Sequence, residues 1–250
     1  MALNTEQLYD QNAGFWSRTK PTSISDFTGR PAVFDLCGDV RGQRVLDLGC
    51  GEGYCTREMA RRGARTTIGI DLSGAMIEQA RKREQSHPLG IEYRRGDATS
   101  LELGETRFDL VLAVFVFSYM TTSEMERAFS QIRRVLADGG RFVFAVPHPG
   151  LPFMREQRPP FYFDTRGDGY FSGLDRRYEG QIDCVEGPSL PVHLVHKPLE
   201  CYFDALARTG FDRMPLVREL RVLAAHLAER PDVFAPIADL PLHLAFRLDV

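Results

Sequence analysis

Val45-Leu46-Asp47-Leu48-Gly49-Cys50-Gly51-Glu52-Gly53-Tyr54 is the stretch from which the fold can be read. An apolar strand runs into an acid and then a glycine-rich turn, and a helix-like stretch from Cys55 to about Arg62 follows. Glycines at this point let backbone approach a ligand closely, because no side chain stands in the way. The spacing departs from the dinucleotide fingerprint G-x-G-x-x-G, since Tyr54 stands where the third glycine belongs. Asp47 and Glu52 add negative charge beside the turn, which suits a cation better than a diphosphate.

Outward from this run, strand and helix alternate. Arg44 to Leu48 and Thr66 to Ile70 read as buried strands. Ser73 to about Gln85 carries Met76, Ile77 and Ala80 at helical spacing, with Ser73 as N-cap. Ile91 to Arg95 is a third strand, and Asp109 to Val116 is nearly all apolar, as a parallel strand covered on both faces would be. Asp109 starts that strand and reads as structural. Ser123 to Ala137 carries a Ser123-x-x-Glu126 capping box and a stripe of Met125, Phe129, Ile132 and Leu136. Gly139-Gly140 ends the helix, and Arg141 to Val146 is a fifth strand. The alternation predicts an α/β fold with a doubly wound, mostly parallel sheet.

The pattern then stops. Residues 147–198 hold eight of the fifteen prolines, and seven aromatic residues fall between Phe153 and Tyr178. So long an irregular insertion at the carboxyl end of a strand predicts a lid or binding loop. Leu199 to Thr209 returns as a helix ended by Gly210. Phe211 to Val222 and Leu242 to Leu248 read as the last two strands, with a helical insertion from Leu223 to about Asp239 between them.

Bulk properties exclude several classes. The net charge of −3 and pI near 6.1 leave no basic footprint for nucleic acid. No run of 18 apolar residues predicts a membrane span. The five cysteines form no C-x-x-C pair, so neither a disulfide framework nor a zinc ribbon is expected. His193 and His196 lack companion ligands, and no metal is expected. With no targeting segment visible at the N-terminus, the expected compartment is the cytoplasm, as monomer or homodimer.

The run at 45–54 resembles the first motif of the class I S-adenosylmethionine-dependent methyltransferases, and four further segments match that family in order. They are Ile68 to Met76, Gly96-Asp97-Ala98, Phe108 to Tyr119 and Leu136 to Pro147. The resemblance implies a seven-stranded Rossmann-like sheet closed by an antiparallel edge hairpin, with S-adenosylmethionine as cofactor. It places Asp47 on the cofactor's amino group, with Gly49, Cys50, Gly51 and Gly53 forming the pocket floor. Asp71, beside Leu72 and Met76, would hold the ribose hydroxyls. Asp97 and Ala98 would meet the adenine, and Val114 would line the adenine and sulfonium region. Tyr9 and Trp16 resemble an aromatic lead-in that folds over the cofactor. The chain then reads as one domain over residues 1–250. A helical lead-in (1–40) precedes a cofactor-binding core (41–147), an aromatic-rich lid (148–198) and a closing helix with edge hairpin (199–250).

Methyl transfer asks little of a protein beyond alignment, because the sulfonium already activates the methyl. A general base is needed only where the acceptor loses a proton. His148, between Pro147 and Pro149 at the mouth of the crevice, is the expected base. Phe115, Tyr119, Phe153, Tyr162 and His196 are expected on the acceptor side. No Asp-Pro-Pro-aromatic clamp for an exocyclic amine follows the fourth strand, and no Pro-Cys pair offers a nucleophile. The aromatic lid with Arg155, Arg158, Arg166, Arg176 and Arg177 suggests a small, partly planar acceptor, with an anionic one among the options. The expected reaction is O-methylation of a secondary-metabolite-type hydroxyl or carboxylate. N- or C-methylation, or a non-methylating rearrangement that keeps the cofactor, is the alternative. A nicotinamide oxidoreductase is the rival from another class, disfavoured by the glycine spacing.

Overall fold

The computed structural model describes residues 3–16, 21–154, 161–185 and 189–250. Helices α1 (Thr5–Trp16), α2 (Ile24–Thr28) and α3 (Arg30–Cys37) lead in. β1 (Arg44–Leu48), α4 (Tyr54–Arg61), β2 (Thr66–Asp71), α5 (Gly74–Ser86), β3 (Glu92–Arg95), β4 (Phe108–Val114), α6 (Thr122–Val135) and β5 (Leu136–Pro147) follow. Next come β6 (Phe161–Phe163), β7 (Arg177–Ile182) and β8 (Leu190–Val195). α7 (Leu199–Arg208), β9 (Leu216–Leu220), α8 (Ala224–Glu229), α9 (Pro231–Phe234) and β10 (His243–Asp249) complete the order.

Seven strands form the main sheet in the order β3-β2-β1-β4-β5-β10-β9. Neighbours from β3 through β5 run parallel, and β10 is antiparallel to both β5 and β9. This is the doubly wound sheet with an antiparallel edge that the sequence predicts. β1, β4 and β5 lie in the middle, which is why their residues are buried almost without interruption. α6 packs Met125, Ala128, Phe129 and Ile132 against the sheet. There Phe117, Phe129, Phe142 and Phe144 form one ring cluster, continued by Phe246 stacked on Phe144 at 4.5 Å.

Several boundaries differ from the sequence reading, each for a local reason. α6 is capped by Thr121 and Glu124, not by Ser123 and Glu126. Glu124 Oε2 accepts from Thr121 N at 2.7 Å, and Asp175 Oδ1 accepts from Thr122 N at 2.7 Å. A carboxylate from a distant segment thus fixes the earlier start, which no local pattern contains. The helix ends at Val135, and Gly139-Gly140 lie beyond it, exchanging backbone hydrogen bonds with Val250. β4 stops at Val114 because Phe115 turns into the left-handed region at φ 64°. The penultimate strand is confined to Leu216–Leu220 at the sheet edge.

The main correction concerns the insertion. It was expected to be irregular, but it carries a three-stranded antiparallel sheet of order β6-β7-β8. This cap is tied to the loop after β4. Lys197 is buried, and its Nζ donates to the carbonyls of Met120 and Val195, the latter at 2.8 Å. Burial pushes that ammonium down to about 8. Of the lid arginines, Arg155 and Arg158 lie outside the described residues.

Candidate active site

A cavity of ≈ 340 Å³ lies along the carboxyl ends of the parallel strands and beneath the cap. One end is built from the turn between β1 and α4. Gly49 has φ +62°, and a β-carbon there would collide with Val116, so only glycine lets the turn close against the loop after β4. Gly53 has φ +85° and abuts the Tyr93 ring; it precedes α4 and does not itself line the cavity. Gly49, Cys50 and Gly51 do line it.

Two acids stand at this end. Asp47 is buried and accepts from Thr56 Oγ1 at 2.6 Å. Burial raises its carboxyl to about 7, against the pull of the Thr56 hydrogen bond. Asp71 accepts from Gly51 N at 2.8 Å through one oxygen and from Ser73 N at 2.9 Å through the other. Burial also raises Asp71. A buried acid seeking a cation, beside a second acid whose oxygens are anchored yet have lone pairs to spare, suits an amino group and a pair of ribose hydroxyls. Leu72, Met76, Asp97, Ala98 and Val114 also line the cavity. The residues present therefore fit an adenosyl cofactor.

The charge reading of Glu52 needs correction. Its carboxylate is buried and paired with Arg57 at 2.7 Å and Arg83 at 3.3 Å. Two guanidiniums offset it, so the negative charge at the turn comes from Asp47 and Asp71.

The lead-in roofs the cavity. Tyr9 in α1 donates to the hydroxyl of Tyr119 at 2.5 Å, and both rings line the space with Trp16. Burial raises both phenols, so they stay neutral. α1 is held from two sides. Asp10 accepts from Ser73 Oγ at 2.5 Å and Ala75 N at 3.1 Å, while Thr5 Oγ1 meets His193 Nε2 at 3.1 Å.

Phe115 packs on His243 at 4.9 Å, and the Arg30 guanidinium lies over the Phe115 ring at 5.4 Å and over the Tyr54 ring at 5.9 Å. Arg30 is held by Asp26 at 2.7 Å and Ser25 at 2.8 Å. A bulky residue at positive φ is strained by about 1–3 kcal/mol, and here the strained ring forms cavity wall. The cap supplies Phe163, Ile182, Val192, His193 and Leu194.

Five expected positions are placed elsewhere or differently. His148 does not line the cavity; its Nε2 lies 3.3 Å from Glu219 Oε1, and its Nδ1 accepts from Gly150 N at 3.1 Å. Its ring thus turns towards the sheet edge. Tyr162 is exposed and its neighbour Phe163 is buried, because successive strand residues face opposite ways. Phe153 and His196 pack on each other at 4.6 Å away from the cavity, and His196 Nε2 meets the Tyr170 carbonyl at 2.7 Å. Gly53 acts through the turn. The lid arginines Arg166, Arg176 and Arg177 do not line the cavity either; Arg177 pairs with Glu179. The sequence reading missed Arg30, Ser23 and Ser25 in the lead-in, Phe163 and Val192 in the cap, and His243 in the last strand. The alternating Leu190 to Val195 run was a strand signal; nothing local marked Arg30 or His243.

Comparison with known proteins agrees with this geometry. The methyltransferase domain family matches residues 45–140. The malonyl-[acyl-carrier protein] O-methyltransferase of Geobacter sulfurreducens is 38% identical over 178 residues, covering 69% of this chain and 57% of that protein. The N-demethylindolmycin N-methyltransferase of Streptomyces griseus is 30% identical over 154 residues, covering 59% of this chain and 64% of that protein. The chain thus spans less than two thirds of the length of either curated relative. The crystal structure of an S-adenosylmethionine dependent methyltransferase from Mesorhizobium loti superposes with a TM-score of 0.64 at 26% identity, covering 88% of this chain and 96% of that one. Residues 45–140 thus form a methyltransferase domain of the class I S-adenosylmethionine-dependent kind.

Proposed function

We propose that this methyltransferase-family chain transfers the methyl group of S-adenosylmethionine to a hydroxyl oxygen of a small, largely apolar acceptor. The observation that carries the reading is the single cavity joining the Gly49–Gly51 turn, with Asp47 and Asp71, to an apolar cap wall. In this reading Asp47 holds the amino group, Asp71 the ribose hydroxyls, and Tyr9 with Tyr119 closes the roof and keeps water out. The bound cofactor supplies an electrophilic methyl on a sulfonium. The acceptor oxygen would take that methyl as the carbon–sulfur bond broke with its electron pair on sulfur, and the hydroxyl proton would go to solvent as the site reopened.

Oxygen is preferred over nitrogen because of where the acids sit. Asp47, Glu52, Asp71 and Asp97 lie at the cofactor end, and Glu124 is spent on the α6 cap. Among the described residues, no carboxylate lines the cap end to hold a protonated amine. The relatives include an O- and an N-methyltransferase, so the assay should offer both kinds of acceptor.

The test is calorimetric titration with S-adenosylhomocysteine beside NAD, then label uptake from methyl-labelled S-adenosylmethionine into hydroxy-, carboxy- and aminoarenes. Micromolar binding of the first alone, with label in the hydroxyarenes, supports the reading. Label confined to amines would move the assignment to nitrogen, and product formation without S-adenosylhomocysteine release would favour a non-methylating use.

A further inference from the structure

Among the five cap residues that line the cavity, His193 is the polar one; Phe163, Ile182, Val192 and Leu194 are apolar. His193 is 3% exposed. Its Nε2 lies 3.1 Å from Thr5 Oγ1 on α1, and its ring meets Tyr119 edge-on with centroids 5.1 Å apart. Its Nδ1 is buried and, among the described residues, has no hydrogen-bond partner. A polar atom left unpaired among apolar side chains is destabilising until something supplies its partner, so such atoms mark places a ligand completes. Burial, with Arg177 nearby, pushes the imidazole down to about 4, so it is neutral at ordinary pH. When Nε2–H donates to Thr5, Nδ1 is a lone-pair acceptor, which selects ligands that carry an O–H donor.

We infer that His193 binds the acceptor, taking a hydrogen bond from its hydroxyl while the cap holds an aromatic ring, so that the acceptor is a phenol-type compound. This rests on the methyl-transfer reading for the identity of the cavity's other tenant. His193 takes the place expected of His148, on a strand rather than a loop. Tyr119 ties it to the cofactor end, since that ring touches both His193 and Tyr9.

Trp16 is the chain's one tryptophan and lines the same cavity, so its fluorescence reports the site. With S-adenosylhomocysteine present at pH 7, 3-nitrophenol, which is mostly un-ionised there, and nitrobenzene are titrated against Trp16 quenching; the two probes differ only in the hydroxyl. The wild type is expected to prefer 3-nitrophenol by about tenfold or more. His193→Phe should lose that preference while keeping nitrobenzene and S-adenosylhomocysteine affinity within about twofold. His193→Gln retains an acceptor oxygen and should keep part of the preference, and it decides the matter if His193→Phe does not fold. An equal preference in wild type and His193→Phe, or none in the wild type, overturns the proposal. Failure of S-adenosylhomocysteine to bind the wild type brings down the functional reading instead, and the probe titration run without it still decides His193.

Discussion

The carboxylate of Asp47 is pinned by Thr56 Oγ1 at 2.6 Å at the end of β1, and burial raises it to about 7. With Asp47 on the cofactor as proposed, this raised carboxyl should make cofactor affinity pH-dependent. A cation bound at Asp47 needs the carboxylate ionised and would lower its pKa. Affinity for S-adenosylhomocysteine should therefore fall by about tenfold per pH unit below ~7 and level off above it, with proton release on binding near pH 6. Calorimetry in buffers of different ionisation enthalpy measures that release. Stability has the opposite sign. The folded pKa lies above the unfolded one, so the contribution is full below ~4 and is lost as pH rises through ~7. Asp47→Asn should then melt a few degrees higher at pH 8, on the order of 2–4 °C per kcal/mol recovered, while cofactor binding drops more than about tenfold. Tight binding by Asp47→Asn would remove Asp47 from the cofactor.

Arg57→Met should be strongly destabilising. It removes the 2.7 Å partner of the buried Glu52 carboxylate, and breaking a buried pair from one side costs about 3–5 kcal/mol. Urea denaturation measures the loss. A shift under about 1 kcal/mol would show that the contacts remaining to Glu52 suffice.

Phe163→Ala and Tyr162→Ala are adjacent changes with different expected outcomes. Phe163 is buried and faces the cavity, and Tyr162 is exposed. Removing the Phe163 ring should weaken nitrobenzene binding and cost about 3–5 kcal/mol of stability. Tyr162→Ala should stay within about 0.5 kcal/mol of wild type and bind the probe normally. The reverse order of effects would mean that β6 is turned over.

His148→Ala should leave both probe and S-adenosylhomocysteine binding unchanged, because its ring meets Glu219 and Gly150 outside the cavity. Burial lowers its pKa against the pull of Glu219, so a turnover profile that tracked His148 titration would contradict this placement.

Much of the fold was legible because it depends on local signals. The strand–glycine–helix run, the period of the helices and the apolar central strands each carry their meaning within a dozen residues. They lead to the strand order and to Asp47, Gly49, Gly51 and Asp71 at the cavity. The α6 cap was misread by two residues because two capping boxes overlap there, and Asp175, 53 positions away, helps select the earlier one.

The sequence by itself determined the main sheet and the glycine-turn end of the cavity, since a turn that must admit a ligand leaves few choices at consecutive positions. Tertiary structure alone decided the rest of the cavity wall. There Arg30, Phe163, His193 and His243 come from four segments scattered across the chain, and a side chain's direction depends on strand pairing and on what packs behind it. Which of Tyr162 and Phe163 faces the cavity follows from the β6–β7 register and the direction of His193 from the β7–β8 register, and register is a property of paired strands rather than of either one.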